Sequence, residues 1–278
     1  MKSELITAYV SSYPPRACGI ATFTRDLSEA VATSGHNVGS RIVAINDEGA
    51  SYDYPPLVRW TIDQCEPESW IEAARQINKS RVDLVSLQHE FGLYGRFERD
   101  GHFIDHVGGF LDRIERPIVT TLHTVVPQPR HDFREAVRAL HDRSDAVVTM
   151  VNMARLILEQ DYGLQPEKLY TIPHGVPSVK RVDPQKMKRA LHLDDRTILC
   201  TFGLLSSGKG IQYVIRALPE VVKRHPEVLY LVIGETHPEV RRREGEKYRN
   251  SLLDLVHKLH LEKHVRFINQ YLTTPQLV

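Results

Sequence analysis

What most constrains the fold of this chain is an alternation that runs almost from end to end. Short apolar runs rich in β-branched residues are followed, repeatedly, by longer segments whose apolar residues fall at helical spacing. "LITAYV", "SRIVAI", "LVRWTI", "VDLVSLQ", "PIVTTLH", "DAVVTM" and "KLYTIPHG" read as strands of the first half. "IATFTRDLSEAVATSG", "PESWIEAARQINKS", "DHVGGFLDRIER", "RHDFREAVRALHDRS" and "VNMARLILEQDYG" read as the helices between them. Such an order implies an α/β fold with parallel sheets, because only a crossover segment returns the chain to the start of a neighbouring parallel strand. The first half holds one complete Rossmann-like unit. The pattern then restarts with a short helix "PQKMKRALHL", strand "RTILCTFG", helix "GIQYVIRALPEVVKRHP" and strand "VLYLVIGE". One long polar helix through "VRRREGEKYRNSLLDLVHKLH" and a strand "HVRFINQYL" complete it.

The stretch from Pro173 to Pro184 is punctuated by prolines, which block helix continuation, and it separates a first domain, 1–178, from a second, 179–278. The second offers about three βα units where a doubly wound sheet ordinarily has about five or six strands. Thr274 and Pro275 read as the start of a helix with almost nothing behind it. The second domain is therefore expected to be incomplete at its C-terminal end.

Composition removes several classes of function. Lys plus Arg number 36 against 35 for Asp plus Glu, so the net charge of +1 gives no field that gathers nucleic acid or an anionic membrane. An anionic ligand must be held locally. Cys18, Cys65 and Cys200 are odd in number and widely spaced, which fits neither a disulfide framework nor zinc-ligand spacing. No apolar run approaches the length of a membrane span or a signal-peptide core, and a cytoplasmic location is expected.

In open α/β sheets, ligands bind beyond the carboxyl ends of strands, where helix N-termini present unpaired N–H groups. Two junctions stand out. In "SSYPPRACGIATFT", Gly19 ends a loop and opens the first helix, so the N–H groups of Gly19, Ile20 and Ala21 are placed to face an anion. In "FGLLSSGKGIQYVIRAL", Gly203, Gly208 and Lys209 satisfy seven positions of a P-loop before Gly210 stands where the metal-binding hydroxyl belongs. That departure argues against magnesium-triphosphate chemistry and for a lysine aimed at a phosphate that arrives without metal. A glycine that only permits a turn and a lysine that is only solvated are the competing readings.

Strand ends add His89 and Glu90 in "VSLQHEFGLYG" and His123 in "TTLHTVVPQP", candidates for one shared crevice. "HEFGL" lacks the second histidine of a zinc-hydrolase motif, and His102 and His106 are a pair without a third ligand, so no metal is expected. Neither a G-x-S-x-G elbow nor a G-x-G-x-x-G fingerprint is present, and the mixed charges of "VRRREGEKYR" describe a solvated face.

Together "PPRACGIATFTRDL", "LHT", "IPHGV" and "FGLLSSGKGIQYVIRAL" resemble the retaining GT-B glycosyltransferases of the large family that includes sucrose synthases and many bacterial mannosyl- and glucosyltransferases. The four landmarks occur in order, at strand ends, through the whole chain; "QHEFGLYG" and "IGETHPEV" point to a bacterial branch. The resemblance implies two Rossmann-like domains facing a cleft, with the acceptor held mainly by the first and the donor by the second. It implies transfer of a hexose, with retention, from a UDP-, GDP- or ADP-sugar to a glycan or other hydroxyl acceptor, without metal or cofactor.

Carried over, Gly19 and Ile20 approach the donor diphosphate by their backbone, the loop from Gly203 to Gly208 wraps it, and Lys209 neutralises it as it leaves. His123 lies near the transferred sugar, His89 and Glu90 line the sugar or acceptor side, His174 and Gly175 match the interdomain linker, and Tyr271 and Leu272 fall where the nucleobase is touched. Two departures accompany this. Leu204 stands where the family commonly has an arginine, and the family's acidic pair would fall beyond Val278. The chain is thus expected to be inactive or impaired by itself, and a non-catalytic sugar-nucleotide or glycan-binding module is the alternative. The sugar, base, acceptor and oligomeric state stay open.

Overall fold

A computed structural model describes residues 4–98, 100–176, 178–180, 182–272 and 276. The chain divides into two compact units, Met1–Gly175 and Val176–Val278.

Unit 1 is built on seven parallel strands: β1 (Leu5–Ser11), β2 (Val38–Asn46), β3 (Val58–Asp63), β4 (Leu84–His89), β7 (Ile118–Leu122), β8 (Ala146–Thr149) and β9 (Leu169–Thr171). They lie in the order β3-β2-β1-β4-β7-β8-β9. The first strand is therefore internal, and the chain crosses to its left for β2 and to its right for β4. The carboxyl ends of β1 and β4 form the switch point at which crossovers diverge and a crevice opens. Both faces of the sheet are covered, so Ala8, Val10, Val85 and Leu87 have no exposed surface. This two-sided burial explains why the strands read as continuous apolar runs.

Helices α1 (Gly19–Ala32), α2 (Pro67–Asn78), α3 (Val107–Leu111), α4 (His131–Arg143) and α5 (Asn152–Asp161) make the crossovers. Helix α2 shows how the sequence dictates this: Pro67 occupies the first turn, where its missing N–H costs nothing, and Trp70, Ala73, Ala74 and Ile77 repeat at helical spacing as its buried stripe. Helix α3 is shorter than "DHVGGFLDRIER" suggests, holding one turn around Gly108 and Gly109, which weaken a helix by conformational entropy. Between β4 and α3 lies an antiparallel pair absent from the sequence reading, β5 (Gly95–Phe97) with β6 (Phe103–Asp105). A Cβ on Gly95 would sit 1.8 Å from the Ile104 carbonyl oxygen, so close pairing here demands glycine.

Unit 2 holds α6 (Pro184–Ala190), β10 (Thr197–Phe202), α7 (Ile211–Arg224), β11 (Val228–Ile233), α8 (Pro238–Glu244), α9 (Lys247–Lys258) and β12 (Val265–Ile268). Its parallel sheet has the order β10-β11-β12. Leu205, Ile211, Ile215, Leu218, Tyr230, Val232, Leu252 and Val256 pack as its core. The single long polar helix expected here is instead two helices, because Gly245 adopts a left-handed conformation at φ +62° and ends α8. Among the described residues strand β10 has a strand neighbour on one side only, and Leu199 and Phe202 remain 39% and 62% exposed. Thr274 and Pro275 lie outside the described residues.

Candidate functional site

In unit 1 the carboxyl ends of three adjacent parallel strands, β1, β4 and β7, gather the candidate residues. From β1 the chain passes through a loop, residues 12–18, into α1. Buried Arg16 fixes this loop: Nη1 donates to the Ile45 carbonyl at 2.7 Å, and Nη2 donates to Asp47 and to Gln64 Oε1. The Tyr52 hydroxyl donates to the other Asp47 oxygen, extending the network. Thr24 ties the helix back to the strand by donating to Ser11 Oγ at 2.7 Å. Cys18 is the N-cap of α1 and makes no side-chain capping bond, and no acidic residue sits in the first turn. The first helical bond is Thr22 N–H to Cys18 C=O at 3.3 Å, so the amides of Gly19, Ile20 and Ala21 have no intrahelical acceptor. A Cβ built on Gly19 meets nothing within 4 Å. The space beside Gly19 is open.

Strands β4 and β7 contribute a polar floor. His123 N–H donates to the His89 carbonyl at 3.0 Å, which extends the ladder one residue past β7. Two side-chain pairs then cross between the strand ends: Gln88 Oε1 with His123 Nε2 at 3.1 Å, and Thr124 Oγ1 donating to Glu90 Oε2 at 2.6 Å. Burial pushes the His123 ring down to about 4, with His174 acting in the same sense. It is neutral near pH 7. Burial raises the Glu90 carboxyl against the opposing effect of the Thr124 hydroxyl. Phe23 of α1 meets the His123 ring edge-on at 4.7 Å and the His174 ring at 5.5 Å. Three of the sequence landmarks, the first helix, "LHT" and "IPHGV", therefore come together around one phenylalanine.

His89 does not join them. It has no exposed surface, its ring packs 5.1 Å from Phe91 and 5.0 Å from Tyr94, and neither ring nitrogen has a hydrogen-bond partner among the described residues. Burial drives it down to about 3, with His123 adding to the effect. The residue that faces His123 is Gln88, which the sequence reading passed over. The signal for both lay in strand parity: His89 shares a face with Val85 and Leu87, whereas Gln88 shares one with Ser86 and Glu90. His102 pairs with Asp132 at 3.5 Å. Among the described residues no group of three or more His, Cys, Asp or Glu is placed to hold a metal ion.

In unit 2 the loop after β10 is held by its neighbour. Gly203 and Gly234 have φ of +116° and +147°, and a Cβ on Gly234 would lie 1.9 Å from the Gly203 carbonyl oxygen. Leu205 N–H donates to the Glu235 carbonyl at 2.8 Å and His237 N–H to the Leu205 carbonyl at 2.9 Å. Buried Leu205 anchors the loop in the core. A single 3-10 turn, Ser207–Lys209, leads to Gly210 in the left-handed region at φ +68°, and α7 opens there without a side-chain cap. Gly203, Gly208 and Lys209 are exposed, and the Lys209 ammonium makes no hydrogen bond or ion pair among the described residues. Leu204 is half-buried; Tyr271 is exposed, three residues beyond β12, with Leu272 beside it.

Two Rossmann-like units with these strand-end loops define the GT-B class of glycosyltransferase. Residues 17–179 match the family described as Glycosyltransferase Family 4, and residues 182–274 match Glycosyl transferases group 1. The chain belongs to Glycosyltransferase Family 4. It is similar to Anabaena HepE solved with UDP and glucose, at 14% identity and a TM-score of 0.69, over 98% of this chain and 71% of that one. A glycosyltransferase from Rickettsia africae ESF-5 matches at 16% identity and a TM-score of 0.67, over 99% and 71%. An α,α-trehalose-phosphate synthase (UDP-forming) from Burkholderia vietnamiensis matches at 14% and 0.62, over 97% and 73%. No curated protein matches the chain. Among the described residues no helix is long and apolar enough to cross a membrane.

Proposed function

We propose that this chain binds a nucleotide-diphosphate sugar and takes part in transferring its hexose, with retention of anomeric configuration, to the hydroxyl of a glycan or another acceptor. The observation that carries this reading is the loop from Gly203 to Gly210, which ends at the start of α7 in a lysine with no hydrogen-bond or ion-pair partner among the described residues. When the bond between the anomeric carbon and the diphosphate oxygen breaks, its electron pair leaves with the nucleotide. Lys209, with those amides of its loop that the fold leaves free, stabilises that charge where it forms, so no metal is required. The acceptor oxygen bonds to the anomeric carbon on the same face, and its proton passes to the departing diphosphate. His123, neutral at working pH, positions the sugar rather than acting as an acid; Glu90 serves the acceptor side, and Tyr271 and Leu272 the nucleobase.

UDP and UDP-glucose are the first ligands to test, since HepE was solved with both. Calorimetric titration against UDP, GDP, ADP and their hexose conjugates is expected to select one base. Lys209→Ala should weaken the selected diphosphate by about 1.5–3 kcal/mol, the range for a hydrogen bond to a charged group. Unaltered affinity refutes the role of Lys209, and no binding across the panel refutes the function. Leu204, uncharged where the family commonly has arginine, favours a second reading, a binding module without turnover. A donor that binds but is never consumed across a broad acceptor panel would establish it.

A further inference from the structure

At the amino end of the unit 1 sheet, opposite the strand ends described above, an open groove of about 400 Å³ is lined by Glu4, Arg41, Arg59, Trp60, Arg81 and Val82, among others. It adjoins a second, of about 680 Å³, to which Asp83, Glu115 and Arg116 contribute. Many arginines of unit 1 sit in ion pairs, as Arg16 does with Asp47, Arg130 with Asp132 and Arg155 with Glu159. Arg41, Arg59, Arg81 and Arg116 have no ion pair among the described residues, although three carboxylates line the same groove. Several of these groups are held by backbone. Arg41 Nη1 donates to the Ser40 carbonyl at 2.8 Å, Arg116 Nη2 donates to the Asn78 carbonyl at 2.9 Å, and Asp83 Oδ2 accepts the Ile6 N–H at 2.9 Å. Ser80 clamps the turn around Arg81, donating to the Ile77 carbonyl at 2.6 Å and accepting the Val82 N–H at 3.2 Å. A β-bulge places Arg59: Ile42 pairs with Val58 but Val43 with Trp60, so Arg59 is the extra residue, and Val58 and Trp60 pack into different clusters.

We propose that this groove binds a phosphorylated sugar, at a site separate from that of the proposed function. Guanidinium groups without carboxylate partners match the oxygens of a phosphate, which accept in fork geometry. Glu4 and the second oxygen of Asp83 accept from sugar hydroxyls, and half-buried Trp60 supplies apolar surface for the C–H side of the ring. A nucleic acid or an anionic membrane would meet Glu4, Asp83 and Glu115 along with the arginines, and like charges would oppose it. The volume lies within the range of small-molecule pockets, about 300–1,000 Å³. Strand β1, seven residues long, sets this groove roughly 20 Å from the carboxyl-end site, at about 3.3 Å per residue.

The full 278-residue chain carries its own reporter, since Trp60 lines the groove and Trp70, the other tryptophan, is wholly buried. Glucose 6-phosphate, mannose 6-phosphate, fructose 6-phosphate and glucose 1-phosphate are titrated by fluorescence and by calorimetry. At least one should bind saturably and more tightly than inorganic phosphate, with no binding of glucose. Trp60→Phe should remove most of the fluorescence change. Arg59→Gln and Arg81→Gln, both at exposed positions, should each weaken the ester at least about 5-fold, the upper range for an exposed ion pair, whereas Lys209→Ala should leave it unchanged. No saturable signal by either method with any of the four esters overturns the site. Undiminished binding in both arginine variants places the ligand elsewhere and overturns it equally. Inorganic phosphate bound as tightly as the esters overturns the sugar assignment. A failure to bind UDP-sugars bears on the proposed function alone.

Discussion

Replacing His89 by leucine probes the most heavily perturbed base in unit 1. The ring is fully buried, both nitrogens lack a hydrogen-bond partner among the described residues, and leucine is of similar size. At pH 7 the substitution removes polar atoms that lost water without gaining partners, so the variant should be more stable by about 1–3 kcal/mol. The pH dependence is the sharper test. A base whose folded pKa, about 3, lies below its unfolded value binds a proton more readily when unfolded. Stability is thus lost as pH falls through 6.5 toward 3, and the loss between pH 7 and pH 5 comes to about 2 kcal/mol.

Other groups titrate over the same range. His123 acts in the same sense, whereas Asp105, raised to about 7 by burial, holds its proton in the folded state and adds stability as pH falls. The difference between variant and wild type cancels these contributions. Urea unfolding followed by tryptophan fluorescence suits the purpose, since Trp60 and Trp70 both lie in unit 1 and report on it alone. The stability gap should widen by about 2 kcal/mol from pH 7 to pH 5. A constant gap would show that His89 titrates like an exposed histidine, and the account of its burial would be wrong.

Two further substitutions separate folding from binding. Gly19→Val places its side chain in open space, so thermal stability should barely move while UDP-glucose affinity, by calorimetry, drops at least about 10-fold through blocked approach to the α1 amides; unchanged affinity would remove Gly19 from the site. Gly234→Ala should destabilise unit 2 by about 3 kcal/mol or more, because its Cβ meets a backbone oxygen at φ +147°. Hydrogen exchange at Val232 would register that loss, and wild-type protection there would contradict it.

The parallel strands and their crossover helices were legible because burial on both faces leaves apolar runs that few other folds produce. The turn between β10 and α7 was legible through the spacing of Gly203, Gly208 and Lys209. The β5–β6 pair was not, since three-residue strands are too short to show a period, and the break at Gly245 was hidden inside a polar stretch that has no apolar stripe to interrupt. The histidines divide instructively. Proximity to a strand end nominated both His89 and His123, but which way a side chain turns there depends on parity, and one residue's difference separates the core from the crevice. Gln88 carried no motif; only the pairing of β4 with β7 places it beside His123.

Among the described residues β10 is paired on one side only, and this predicts how the chain behaves in solution. Along its free margin the backbone N–H and C=O groups point outward, flanked by Leu199 and Phe202, and such a margin recruits any extended segment that offers matching groups. Another molecule of the same chain is the most abundant source. Concentration, more than ionic strength, should therefore set the limit of solubility, and a charged residue at Phe202 would raise it.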